Sequence, residues 1–154
     1  MDISSAAAVH TAFGSDWLNC TGDAVVGDTV WWEEAVWPAY KPRGRFRREA
    51  PQLIGLRVLV AKIVRESYGA QKQQHTFSLE VLWAVGTQRP ETGSVIKRKG
   101  RNLYREGLKR LPWNDESECP SDKRIAAQEE KHGRGDAARD DRRARRELEI
   151  EFSN

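Results

Sequence analysis

The run Lys97-Arg98-Lys99-Gly100-Arg101-Asn102-Leu103-Tyr104-Arg105 holds the residue types that contact a polyanion. Clustered cations attract phosphates by charge and by release of condensed counterions. Gly100 lets the backbone approach a ligand closely. Asn102 can hydrogen-bond a base edge, and Tyr104 can stack on a base. With Lys109 and Arg110, the run carries seven cations against the single acid Glu106. A second cluster, Lys41, Arg43, Arg45, Arg47 and Arg48, has Gly44 and Phe46 interleaved. Arg/Gly/aromatic segments of this kind order on nucleic acid. The plainer alternative for both runs is a solvated basic surface that balances acids elsewhere in the fold.

Other chemistries find little support. His10, His75, His132, Cys20 and Cys119 are the soft metal ligands, and none has the Cys-x-x-Cys or His-x3-His spacing of a structural zinc site. No Gly-x-Ser-x-Gly elbow and no Gly-rich phosphate loop is present. A non-enzymatic protein without metal or cofactor is expected. Two cysteines ninety-nine positions apart do not make a disulfide framework, so free thiols in a reducing cytoplasm are expected. There is no signal-like N-terminus and no apolar run of membrane length, so no membrane partner is expected.

The charges are segregated. Residues 1–40 contain six acids and no Lys or Arg, while residues 115–154 hold twelve acids and nine bases, so the net charge of +3 hides acidic and basic zones. Apolar residues are 38% and charged residues 32% of the chain, and all six tryptophans precede residue 114. We therefore read residues 1–113 as a β-rich core module with an N-terminal extension, and residues 114–154 as a highly charged helical appendage unable to build its own core.

The elements that must position the basic runs follow from periodicity. Ser4 to Phe13 reads as a short helix ended by Gly14. Thr29 to Trp37 is β-branched and aromatic and stops at Pro38, so it reads as a strand. Leu53 to Tyr68 is a second strand region. In the third, Phe77, Leu79, Val81, Trp83 and Val85 alternate with the opposite face, and a short link from the second strand implies an antiparallel hairpin. Ser94 to Lys97 reads as a fourth strand; Asn102 to Arg105 fits either a strand or a helix start. Two helices are expected in the tail, one from Ser121 to about Lys131 and one from Asp136 to Ile150, broken at Gly133 and Gly135. Trp31 and Trp32 point to opposite sides of their strand. In a sheet buried on one face, one of them is exposed or covered by the tail or a partner, which makes Trp32 a possible aromatic anchor.

The expected fold class is α+β, a small antiparallel sheet or barrel-like core with a charged, mainly helical C-terminal segment. A barrel with basic loops is loosely similar to small RNA- or DNA-binding barrels. The function expected is a non-enzymatic binding protein that contacts nucleic acid or a nucleoprotein complex through Arg43, Arg45, Arg47, Arg48, Lys97, Arg98, Lys99, Arg101, Asn102, Tyr104, Arg105, Lys109 and Arg110. The alternative is an accessory inhibitor of the phage or plasmid type, which binds a host defence complex and resembles anti-CRISPR proteins in general character. A homodimer using an exposed Trp face is a further expectation.

Overall fold

Six antiparallel strands in the order β1-β6-β2-β3-β4-β5 form one open sheet, and helices cover both of its faces. The computed structural model describes residues 3–38, 52–68, 75–113 and 122–153. The elements are α1 (Ile3–Phe13), β1 (Leu18–Asn19), β2 (Thr29–Val36), β3 (Gly55–Tyr68), β4 (His75–Gly86), β5 (Val95–Lys99), α2 (Gly100–Arg105), β6 (Lys109–Arg110) and α3 (Asp122–Phe152). The class is the expected α+β, but β1 and β5 are free edges, so the sheet is not a closed barrel. Asn102 to Arg105 is helical, and β3 and β4 pair as the expected antiparallel hairpin.

The two faces are built from alternate residues of the same strands. Val30, Trp32, Leu59, Ala61, Ile63, Phe77 and Leu79 pack on one face together with Leu103 and Leu108. On the other face Trp31, Val58 and Val60 pack against Val9 of α1, with Phe13, Trp17 and Trp83 alongside. Trp31 and Trp32 are thus both buried, at 2% and 1% exposure. The expectation that one of them is an accessible anchor fails because the sheet is covered on both sides. Trp37, just beyond β2, is exposed instead.

The alternation in β4 also breaks. Val60 pairs with Trp83 but Ala61 pairs with Val81, so Leu82 is an extra residue in the ladder. A β-bulge of this kind reverses which face the following residues meet. Phe77 and Leu79 pack on the Trp32 face, while Trp83 and Val85 pack on the Trp31 face. Phe13 meets Trp83 edge-on at 6.2 Å between ring centres.

The expected pair of tail helices is a single helix of 31 residues, continuous through Gly133 and Gly135. Its buried residues are Arg124, Lys131 and Gly135. They are seven and four positions apart, which at 3.6 residues per turn places them on one face. From Asp136 onward the helix is exposed, with only Ala138 and Arg142 half-buried. None of the helices among the described residues is long and apolar enough to cross a membrane.

Candidate nucleic-acid interface

β5 is an edge strand among the described residues, where one side of its backbone faces no neighbouring strand. Its register on β4 sets Lys97 opposite Ser78, Arg98 opposite Phe77 and Lys99 opposite Thr76. Alternation therefore separates Arg98 from the two lysines. The Arg98 guanidinium donates to Glu34 across the Trp32 face, at 3.0 Å to Oε2 and 2.8 Å to Oε1. Glu34 also accepts from Arg57 Nε at 2.8 Å and Trp32 Nε1 at 3.0 Å. Burial alone would raise the Glu34 pKa; the hydrogen bonds from Arg98, Trp32 and Arg57 hold it down at about 2. Arg98 is thus committed to the fold. Lys97 and Arg101 are exposed and Lys99 is half-buried. Among the described residues, none of these three is in an ion pair.

The helix that follows is bound tightly to the sheet. A Cβ on Gly100 would stand 2.6 Å from Nδ1 of His75, so the space expected for a ligand is filled by that ring. Leu103 joins the core. Tyr104 packs edge-on to Phe77 at 6.4 Å, and its hydroxyl accepts from the Ala24 amide at 3.2 Å. Burial pushes its pKa above the usual phenol range. The side chain expected to stack on a base is therefore half-buried structure. Asn102 Oδ1 accepts from Arg105 at 3.3 Å, and Arg105 is exposed.

Lys109 and Arg110 lie on β6, separated from β5 by β2, β3 and β4 in the sheet order. Lys109 Nζ sits 4.8 Å from the Trp31 ring centre, a cation–π distance. Arg110 is 7% exposed and donates to the Leu111 carbonyl at 3.5 Å. The run that is continuous in sequence is thus divided in space: Lys97, Lys99 and Arg101 form one accessible group, and Lys109 and Arg110 belong to another part of the sheet. Arg43, Arg45, Arg47 and Arg48 lie outside the described residues.

A set of charged residues that sequence reasoning missed holds α3 on the sheet. Arg124 donates to both carboxylate oxygens of buried Asp28 at 3.2 Å and to the Asp23 carbonyl at 2.9 Å. Lys131 Nζ donates to the Ala24 carbonyl at 2.6 Å and lies 5.4 Å from the Phe77 ring centre. Burial lowers the pKa of Lys131, and nearby Glu66, Asp23 and Asp28 oppose that shift. Arg134 lies 3.7 Å from Glu66, whose carboxylate also meets His75 at 2.7 Å and the Tyr68 hydroxyl at 2.6 Å. Burial would raise the Glu66 pKa, but hydrogen bonds from His75 and Tyr68 and the charge of Lys131 bring it below the usual value. The one sign of this in the sequence is an acidic N-terminal region facing cations spaced by seven and three in a tail poor in apolar residues.

Among the described residues, no group of three or more His, Cys, Asp or Glu side chains could hold a metal ion. A protein family described as a domain of unknown function (DUF7699) matches residues 20–113. The chain is also 41% identical over 128 residues to a protein of Oryza sativa subsp. japonica named "Zinc finger CCCH domain-containing protein 62". That similarity covers 83% of this chain and 17% of the rice protein. The chain has two cysteines, one fewer than a CCCH set needs, so it does not itself form such a finger. No solved structure matches the chain.

Proposed function

We propose that this chain, which belongs to the family described as a domain of unknown function (DUF7699), is a nucleic-acid-binding module that grips the phosphate backbone. The observation that carries the reading is the group Lys97, Lys99 and Arg101. These three cations stand at a sheet edge and the helix start beside it, and have no carboxylate partner among the described residues, whereas Arg98 in the same run is consumed by Glu34. A cation kept for the fold is paired in this protein; these are not. The name of the rice relative adds weight, because zinc fingers are among the common nucleic-acid-binding modules, and one chain often joins several such modules. Backbone contact also fits the position of Tyr104 and Asn102, which are engaged within the protein and leave little for base readout.

The test is fluorescence anisotropy with labelled single- and double-stranded RNA and DNA across a salt series. The wild-type chain should bind at low salt, with affinity falling steeply as salt rises. Replacing Lys97, Lys99 and Arg101 with Ala should weaken every sequence alike and flatten the salt slope by about one unit per lost phosphate contact. An absence of binding by the wild-type chain at low salt would overturn the reading.

A further inference from the structure

A second bulge, in β3, sorts two opposite charges onto opposite faces. Ile63 pairs with Leu79 and Arg65 with the adjacent Ser78, so Val64 is the extra residue. Without it, alternation would turn Arg65 to the Trp32 face and Glu66 to the Trp31 face. With it, Glu66 meets His75 and Arg134 on the Trp32 side. Arg65 stands on the Trp31 side and is exposed. Lys62, which pairs with Glu80, shares that side and is exposed as well.

α1 covers only part of the Trp31 face, where Val58, Val60, Trp83 and Val85 pack beneath it. α2 and α3 pack on the other side, through Leu103 and Lys131. Among the described residues no helix lies over the rest of the Trp31 face. There Arg65, Ser78 and Lys97 form one cross-strand row, and Lys99 follows Lys97 by two residues. The row spans two strand spacings, about 10 Å, and the two lysines are about 7 Å apart along β5. On this face β3, β4 and β5 present four cations, Lys62, Arg65, Lys97 and Lys99, against one acid, Glu80. None of the four is in an ion pair among the described residues, whereas Arg57 and Arg98 on the other face both meet Glu34. Lysines on an edge strand deter pairing with a second chain. That account does not reach Lys62 and Arg65, because β3 lies between β2 and β4.

We propose that this open face of β3, β4 and β5 is where the backbone of a nucleic-acid duplex lies, with Lys62 and Arg65 holding phosphates together with Lys97 and Lys99. The contact is to phosphate because the face offers separated cations with the Ser78 hydroxyl between them. The ligand is a duplex because surfaces that hold single strands stack the bases on aromatic rings. No aromatic ring stands among these four cations: Trp83 packs under Phe13 of α1, and His75 and Phe77 lie on the Trp32 side. A duplex keeps its bases paired and asks only for contacts to its backbone. This inference rests on the nucleic-acid reading above and moves the contact from the edge of β5 onto the face of the sheet.

The experiment compares K62A/R65A with the wild-type chain, using labelled DNA and RNA duplexes and their separated strands over a salt series. The wild-type chain should bind duplexes more tightly than single strands. With duplex DNA the double variant should flatten the salt slope by about 1.8, two contacts at 0.9 each. Its urea midpoint should match wild type, since both side chains are exposed. Glu80→Gln removes the acid of the face and should tighten duplex binding. R143A/R145A, which removes two exposed cations of α3, should leave affinity and slope unchanged. If it flattens the slope as much as K62A/R65A, charge anywhere on the protein suffices and the sheet face is overturned. If single strands bind as tightly as duplexes, the duplex is overturned as the ligand. If K97A/K99A/R101A loses affinity while K62A/R65A keeps both affinity and slope, the sheet face is overturned and the nucleic-acid reading stands. If the wild-type chain binds neither duplex nor single strand at low salt, both fall.

Discussion

Asp28 is fully buried and accepts four hydrogen bonds at the junction of three segments: from the Val25 amide at 2.9 Å, from Trp113 Nε1 at 2.7 Å, and from the Arg124 guanidinium. A buried ion pair can be nearly neutral in net stability, but removing one partner leaves an uncompensated charge. Asp28→Ala should therefore destabilise the protein by about 3–5 kcal/mol, measured by urea unfolding. A loss under 1 kcal/mol would mean that Arg124 finds another acceptor. Nothing in the sequence separates Asp28 from Asp2, Asp16 or Asp23, because burial of a carboxylate is decided by what the fold brings to it. The same holds for Trp32 and Tyr104. Their side chains are ambiguous between core and contact, and neighbours distant in sequence, Arg98 acting through Glu34 for the first and Ala24 with Lys131 for the second, place them in the interior. No acid lies within the run Lys97 to Arg105, and that holds for Arg98 as for Lys97, Lys99 and Arg101; only Glu34, sixty-four residues earlier, sets Arg98 apart from them.

At the scale of elements, α1 and strands β2 to β5 were legible from β-branched runs, alternation and their Gly and Pro boundaries. The bulge was not. Leu82 is apolar, as are Val81 and Trp83, so the pattern reads the same with or without an extra residue. α3 shows the opposite error. Each helical glycine costs about 1 kcal/mol relative to Ala, which makes Gly133 and Gly135 look like a break. The contacts of Lys131 before Gly133 and of Arg134 between the two glycines keep the helix on one axis across them. Two truncations separate the halves of this helix. Removing residues 139–154 should leave the melting temperature within about 2 °C of wild type, since surface changes away from the core are close to neutral. Removing residues 122–154 should lower it clearly, because Asp28 and Glu66 lose their cations, yet leave a cooperative transition, because among the described residues the buried hydrophobic ones all precede residue 109. Differential scanning calorimetry reads both. A non-cooperative melt of the longer truncation would make α3 part of the folding unit.

For the whole molecule, the segregated charge becomes a dependence of stability on pH. Glu34 and Glu66 have pKa values below their ordinary ones in the folded state. A carboxylate of this kind stabilises the fold above its unfolded value, near 4.5, and loses that contribution as pH falls toward its folded value. For Glu34 the window runs from about 4.5 down to about 2. The contribution of these two carboxylates should thus be level above pH 5 and fall below it, and Glu34→Gln should flatten the decline across that window. Urea midpoints at half-unit pH intervals test this, and an unchanged acid limb in the variant would refute it.

The strand order also sets a timetable for assembly. β2, β3, β4 and β5 are consecutive in the chain and adjacent in the sheet, so each can pair with its predecessor soon after leaving the ribosome. β1 has no such neighbour: Leu18 and Asn19 pair with Arg110 and Lys109, some ninety residues later. Closing so long a loop is slow compared with forming hairpins. Asp28 must wait longer still, for Arg124. The margin that precedes the meander in the chain is the last part of the sheet to be completed, and until then the Asp28 carboxylate lacks its guanidinium partner.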